Sequence, residues 1–462
     1  MQKSEVAAAD MQKLPSSDFS LLPTLRTVTL GCKVNQYETE FVRQALVGTG
    51  YRDAAADEPA ELCIVNTCTV TAEGDAKSRQ TIRQLAKRNP GARIVVMGCY
   101  ATRAPDEVAS LPGVAEVVTD KRELPDLLGR WGVVDVPTGI TRFRNRRRAY
   151  IKVQDGCMLR CSFCIIPSVR PHLMSRPVEH IVDEAQRLID NGYRELVLTG
   201  IHLGHYGVDM NRGRPKRDWM RLANLLDRLA RLPGEFRIRL SSIEATEVTR
   251  ELIAVIAEHA ERVCPHLHVS MQSGSDTVLR RMRRRWGARR FVDRCRLAAE
   301  ALDRPAFTTD VIVGFPGESD AEFDETLSVC REVGFSKLHI FPFSARRGTP
   351  AATMPDQVPP SVVNERCYRL EALEVELRDQ YYRSLVGTRL RVLVEPSHSE
   401  RLGYVLGTAC RYATVELPSA SAAYGDFANV TIQRVADGYL LVGSDSTGSD
   451  SRNRRYAASS CS

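Results

Sequence analysis

Residues 155–164 read DGCMLRCSFC and place Cys157, Cys161 and Cys164 in one short stretch, at spacings of four and three. Three thiols this close suit three kinds of chemistry: a structural zinc knuckle, a disulfide set, or an iron–sulfur cluster that lacks one protein ligand. Structural zinc is normally closed by four ligands, often in CxxC pairs, and here there is no second CxxC and no histidine before His172. A 4Fe-4S cluster held by three thiolates leaves one iron able to take an outside ligand. Three more cysteines, Cys32, Cys68 and Cys99, each end a short β-branched run: TVTLGC, ELCIVNTC and RIVVMGC. Singly, each reads as a small buried residue at a strand end, a common place for free cysteine.

The elements around them decide whether those residues meet. Over residues 24–137 the β-branched runs alternate with helical patterns such as YETEFVRQALVGTG and KSRQTIRQLAKRNPG, which predicts a parallel βαβ domain within an α/β fold class. Ligands of open parallel sheets sit at the C-terminal ends of the strands, so Cys32, Cys68 and Cys99 are expected to converge there. Over residues 142–374 the alternation recurs six times, on the strands AYIKVQ, ELVLTG, FRIRLSS, HLHVSMQS, FTTDVIVGF and KLHIFPFS. Six units predict a (β/α)6 partial TIM barrel, with Cys157, Cys161 and Cys164 in the loop after its first strand. A long helix near 363–386 leads to TRLRVLVEP, RLGYVLGT, ATVELPS and FANVTIQRVADGYLLVG, which predict a small all-β barrel over 377–443. Residues 1–23 read as a loose extension, and residues 444–462 as a polar, low-complexity tail.

At 462 residues and 43% apolar content the chain can supply a core to each of these units. No signal-peptide pattern and no membrane-length apolar run occurs, so the expectation is a cytoplasmic protein with no membrane partner. In a reducing compartment thirteen cysteines read as thiols, metal ligands or reactive groups. Cys63, Cys264, Cys295, Cys330, Cys367, Cys410 and Cys461 have no partner at ligand spacing and read as ordinary thiols. A net charge of +7 is compatible with a polyanionic partner. Arg142, Arg144, Arg146, Arg147 and Arg148 crowd one run just before the first barrel strand, and RRMRRRWGARR (280–290) forms a second run after the fourth. A solvated charged face is the ordinary reading, as for a helix that buries Val278, Leu279 and Met282 and turns Arg281, Arg284 and Arg285 outward. Contact with RNA phosphates is favoured for 142–148, because both runs flank the expected mouth of the barrel, and stands even with the ordinary reading for 280–290.

CMLRCSFC in a β/α partial barrel resembles the radical S-adenosylmethionine (SAM) superfamily, and TLGCKVNQYETE, NTCTVT and GCYA are similar to the three cysteine motifs of its methylthiotransferase family. The resemblance covers roughly residues 25–443, including a C-terminal barrel like the family's RNA-binding TRAM domain. It implies two 4Fe-4S clusters, an auxiliary one on Cys32, Cys68 and Cys99, and one on Cys157, Cys161 and Cys164 that binds and cleaves SAM. It further implies that one SAM methylates sulfur at the auxiliary cluster and another yields a 5′-deoxyadenosyl radical that removes the substrate hydrogen. LTGIHLG, RLSSIEATEV, SMQSGSD and GFPGES fit the family's SAM pocket, with Gly200, Glu244, Gln272 and Gly314 as its contacts. Beside this stands the simpler reading of Gly/Pro turns and an N-cap at Ser275. The implied partners are tRNA, a one-electron reductant such as flavodoxin or ferredoxin, and a sulfur source. Lys33, Val34 and Asn35 resemble the branch acting on N6-threonylcarbamoyladenosine at position 37, beside the tRNA anticodon, although Asn35 could equally be a helix N-cap. The sibling substrates are isopentenyladenosine in tRNA and an aspartate of a ribosomal protein. Readings from other classes are an RNA-binding iron–sulfur protein without catalysis and a zinc-dependent RNA-binding module.

Overall fold

The computed structural model describes residues 22–144 and 147–442. The expected C-terminal tail, Arg146, Cys461 and nearly all of the expected N-terminal extension lie outside the described residues.

The first sheet contains β1 (Thr24–Thr29), β2 (Arg52–Asp53), β3 (Leu62–Thr67), β4 (Arg93–Gly98) and β5 (Val114–Val117), all parallel, in the order β2-β1-β3-β4-β5. Helices α1 (Lys33–Val47) and α5 (Leu124–Arg130) cover one face; α2 (Ala72–Arg88), α3 (Cys99–Arg103) and α4 (Pro105–Ala109) cover the other. The alternation in the two central strands feeds both cores. Leu62, Ile64, Val95 and Met97 pack under α1 and α5, while Cys63, Val65, Ile94 and Val96 pack under α2 to α4. Burial on both faces is why these strands read as continuous apolar runs. Thr67 pairs with Gly98, so Cys68 and Cys99 leave the sheet side by side. At Gly98 (φ +103) a Cβ would lie 2.4 Å from the Thr67 carbonyl oxygen, so only glycine lets the two strand ends approach this closely.

The second unit is the partial barrel. Strands β6 (Arg148–Asp155), β7 (Met174–Ser175), β8 (Glu195–Gly200) and β9 (Arg237–Leu240) form one part, in the order β7-β6-β8-β9. Strands β10 (His266–His268), β11 (Ala306–Val313) and β12 (Lys337–Pro342) form the other, and isolated bridges such as Ile243 with Val269 join the two. All pairings are parallel except that of the short edge strand β7, which runs antiparallel to β6 and was not foreseen in the sequence. Helices α6 (Ile166–Val169), α7 (Val178–Asp190), α8 (Leu222–Ala230), α9 (Arg250–Glu258), α10 (Asp276–Arg281), α11 (Ala288–Ala301) and α12 (Asp320–Val333) follow the strands, and α13 (Pro360–Ser384) closes the outer layer. Their apolar faces share one core with the strands.

The third unit contains β13 (Arg389–His398), β14 (Tyr404–Ala409), β15 (Thr414–Pro418), β16 (Phe427–Thr431), β17 (Arg434–Ala436) and β18 (Tyr439–Leu441), in the order β16-β13-β14-β15-β18-β17. The run FANVTIQRVADGYLLVG is three strands, not one. Asp437 and Gly438 both take positive φ, the two-residue turn that reverses a chain most tightly, and Ala436 pairs with Tyr439 across it.

This sheet is tied to the barrel through one buried carboxylate. Glu195, at the start of β8, accepts from Arg237 Nε at 2.6 Å and Arg239 Nε at 3.1 Å, and Arg148 Nε lies 2.6 Å from it. Arg237 then donates to the carbonyls of Arg391 and Thr408, and Arg239 to those of Ala409 and Cys410. Burial opposes ionisation of Glu195, but three guanidinium groups hold its pKa well below the ordinary carboxylate value.

Candidate active site

The loop after β6 carries Cys157, Cys161 and Cys164 on a backbone pinned from several sides. The Cys157 amide donates to the Arg170 carbonyl at 3.1 Å, and Ser162 donates through its amide to the Met282 carbonyl at 3.0 Å and through its hydroxyl to the Arg281 carbonyl at 2.8 Å. The Gln154 side chain donates to the carbonyls of Asp155 and Gly156 and accepts from the His202 amide at 2.8 Å. The three thiols line a cavity of about 160 Å³ together with His202, Glu244, Ser270, Gln272 and Arg284. Burial raises the pKa of Cys161, and that of Cys164 to about 12, so each becomes a stable thiolate only beside a positive centre. Three buried, convergent thiols with space beside them fit a 4Fe-4S cluster with one iron open to an outside ligand.

Of the residues expected in the SAM pocket, Glu244 and Gln272 line this cavity; Gly200 and Gly314 do not. A Cβ at Gly200 would lie 2.9 Å from Gln154 Oε1, and Ile201 and His202 line the cavity in its place. The Gly314 amide is bound to Glu318 Oε2 at 2.7 Å, and a Cβ there would meet Val363 at 2.4 Å. Both glycines therefore serve close packing of the chain on itself. Ser275 is the N-cap residue of α10, but its side chain makes no capping hydrogen bond.

The run 280–290 is also placed differently from the expected outward face. Helix α10 stops at Arg281, Arg283 takes φ +58, and the chain turns Arg284 inward. Buried there, Arg284 pairs with Glu244, donates to the Ser270 carbonyl at 3.2 Å and lies 3.6 Å from Cys161 Sγ. Trp286 Nε1 donates to the same Glu244 carboxylate at 3.1 Å. In the run 142–148, Arg148 is half-buried in its pairs with Glu195 and Glu395, and Arg144 pairs with Asp53. Arg142 and Arg147 remain exposed. Phosphate contact by the whole run is thus corrected to contact by these two among the described residues, because Glu195 and Asp53 already neutralise the others.

The N-terminal trio meets at the C-terminal edge of the first sheet. Cys32 occupies the N-cap position of α1, Cys68 directly follows β3, and Cys99 opens α3. At Gly31 (φ +93) a Cβ would lie 2.9 Å from Cys68 Sγ, so the turn before Cys32 runs against that thiol. Burial raises the pKa of Cys32 and Cys68, and each also feels the charge of Cys99. This donor set fits a second three-thiolate site. Asn35 does not cap the helix: its Nδ2 donates to the carbonyls of Leu30 and Thr67, and its Oδ1 accepts from Arg170 Nη2 at 2.9 Å.

Arg170 had no signal in the sequence, yet it sits between the two trios. Its carbonyl holds the Cys157 amide, its Nε lies 3.4 Å from Cys99 Sγ, and its guanidinium is bound by Glu38 and Asp155. Lys121 and Lys152 complete the network, each 2.8 Å from Glu38. Burial would raise the Glu38 pKa, but Arg170 and the two lysines hold it well below the usual range. Cys99 also packs against Ile165 and Val169, in the segment that follows Cys164. The only way to read these partners from sequence was to know that α1 lies against β6; neither spacing nor residue type announces it.

Residues 151–330 match the Radical SAM superfamily, and residues 24–120 match the Uncharacterized protein family UPF0004. The chain is 42% identical over 402 residues to the Threonylcarbamoyladenosine tRNA methylthiotransferase MtaB of Bacillus subtilis, covering 82% of this chain and 86% of that protein. It is 39% identical to the protein of that name from Thermotoga maritima, covering 81% of this chain and 87% of the relative. To the tRNA-2-methylthio-N(6)-dimethylallyladenosine synthase of Corynebacterium urealyticum it is 34% identical, covering 90% and 82%. Among solved structures it resembles the radical S-adenosylmethionine methyltransferase TsrM from Kitasatospora setae, with a TM-score of 0.51 at 14% identity over 77% of this chain and 89% of that one, a likeness of fold alone. With cysteine trios in both matched regions and relatives aligned over most of their length, the chain belongs to the radical SAM methylthiotransferase family of the MtaB type.

Proposed function

We propose that this protein converts N6-threonylcarbamoyladenosine at position 37 of tRNA to its 2-methylthio derivative. The observation that carries the reading is the meeting of the two cysteine trios across Arg170. When bound, a SAM-ligated 4Fe-4S cluster supplies homolytic cleavage of SAM, and a second cluster supplies a site for the sulfur to be transferred. Cys157, Cys161 and Cys164 hold the first, and Cys32, Cys68 and Cys99 the second. Glu244, oriented by Arg284 and Trp286, and Gln272 present polar groups to SAM from the cavity wall. Arg170 keeps the two loops in register through one backbone and one side-chain contact, so a substrate atom between them faces both.

The reductant is a one-electron donor of the flavodoxin or ferredoxin kind, the sulfur source is separate from the chain, and the setting is the cytoplasm. Among the described residues no helix is long and apolar enough to cross a membrane. Exposed Arg142 and Arg147, with the C-terminal sheet, supply sequence-independent contact with the tRNA backbone. Mass spectrometry of tRNA nucleosides from cells lacking this protein tests the assignment. Loss of the 2-methylthio group from threonylcarbamoyladenosine is the expected result, and an unaltered nucleoside profile rejects it.

A further inference from the structure

The interior of the barrel, on the side facing α1, carries polar groups that the chemistry above does not use. Asp310 pairs in register with His339 and Ile312 with Phe341, while Val311, Val313 and Leu338 pack outward against the helices. Side chains alternate along a strand, so Asp310, Ile312, His339 and Phe341 turn to the opposite, inner side. His268 joins them from β10: its Nε2 lies 3.2 Å from Asp310 Oδ2, and its ring centroid lies 5.5 Å from that of His339. Phe341 is 49% exposed, although it stands at the C-terminal end of a barrel strand.

Lys33 completes the group from the N-terminal domain. It follows Cys32 as the first residue of α1 and is exposed, yet it lies within electrostatic reach of Asp310, Arg148, Arg239 and Glu195 inside the barrel, and His339 feels its charge in turn. Asp310 and Glu195 are already matched by His268 and by three arginines. Among the described residues no carboxylate lies within ion-pair distance of the Lys33 amine. Ile312 packs with Phe163 of the cysteine loop, so this cleft is bordered by one cysteine trio through Phe163 and by the other through Cys32.

Resting on the function proposed above, we infer that Lys33 and His339 bind the carboxylate of the threonylcarbamoyl substituent while Phe341 stacks on the adenine. The chemistry favours this occupant. A free cation with histidine donors beside it recognises an anion, and an exposed aromatic ring recognises a base. An adenosine with a neutral, apolar N6 group leaves the amine without a counterion, and a site built for a polar group discriminates most strongly against ligands that lack it.

The test uses the reconstituted holoprotein and anticodon stem-loop RNAs that differ only in the nucleoside at position 37: threonylcarbamoyladenosine, isopentenyladenosine or adenosine. Dissociation constants are expected to favour the threonylcarbamoyl RNA over the adenosine RNA by about tenfold, the scale of one charge-assisted contact. Lys33→Met should bring that ratio to about one, Lys33→Arg should keep most of it, and Phe341→Leu should weaken all three RNAs together. Iron content and visible absorbance establish that each variant is folded and loaded. If Lys33→Met keeps the ratio, or if the wild type acts on the threonylcarbamoyl RNA without any binding preference for it, the assignment of Lys33 is wrong while the activity stands. Methylthiolation of the isopentenyl RNA alone overturns the proposed function and this inference with it.

Discussion

Arg170 joins Cys157 to Cys99: its carbonyl accepts from the Cys157 amide at 3.1 Å, and its Nε lies 3.4 Å from Cys99 Sγ. Replacing it leaves Glu38 and Asp155 short of a buried counterion. Arg170→Ala is expected to cost about 3–5 kcal/mol of stability, the range for breaking a buried pair from one side. It should also lower the yield of methylthiolated product per 5′-deoxyadenosine formed. Chemical denaturation reads the first effect, and the product ratio by mass spectrometry reads the second.

The two trios should separate by function. Cys157→Ala is expected to abolish SAM cleavage. Cys99→Ala should end methylthio transfer while leaving measurable SAM cleavage, and each variant should lose roughly half of the eight irons that two four-iron clusters contain. Iron analysis beside both assays checks this, and methylthiolation retained by Cys99→Ala refutes the auxiliary site.

Glu244 and Gly314 were read from the sequence as equivalent contacts, but only Glu244 lines the cavity. Glu244→Gln, which leaves Arg284 without its anion, is expected to weaken SAM binding by about tenfold. Gly314→Ala should instead cost about 1–2 kcal/mol in folding from the left-handed backbone alone, with more from the approach to Val363, and should leave SAM affinity near that of the wild type. Equilibrium binding of SAM and thermal unfolding of both variants distinguish the two roles.

Glu195 makes attachment of the C-terminal sheet depend on acid. Its folded pKa lies below the unfolded value of about 4.3, so its contribution is fully present above that value and is lost as the pH falls through the lower folded one. Glu195→Gln removes this dependence and leaves three arginines facing a neutral group, at a cost of about 3–5 kcal/mol near neutral pH. Urea unfolding from pH 7 downward should show the wild type and the variant converging in acid. A constant gap between them contradicts the assignment.

The sequence by itself determined the three architectures and the six cysteines at the centre of the site. Alternation of β-branched and amphipathic runs is local, and the strand-end position of Cys32, Cys68 and Cys99 follows from the parallel sheet that such alternation builds. The tertiary structure alone decided which charges are free. Arg284 reads as one more surface arginine until the backbone turns at Arg283, and Arg148 reads as an RNA contact until Glu195 meets it across the sheet. Arg170 and Lys33 gain their meaning from partners far away along the chain. Side chains separated by many residues meet only when whole elements dock, and residue type and spacing carry no record of that docking.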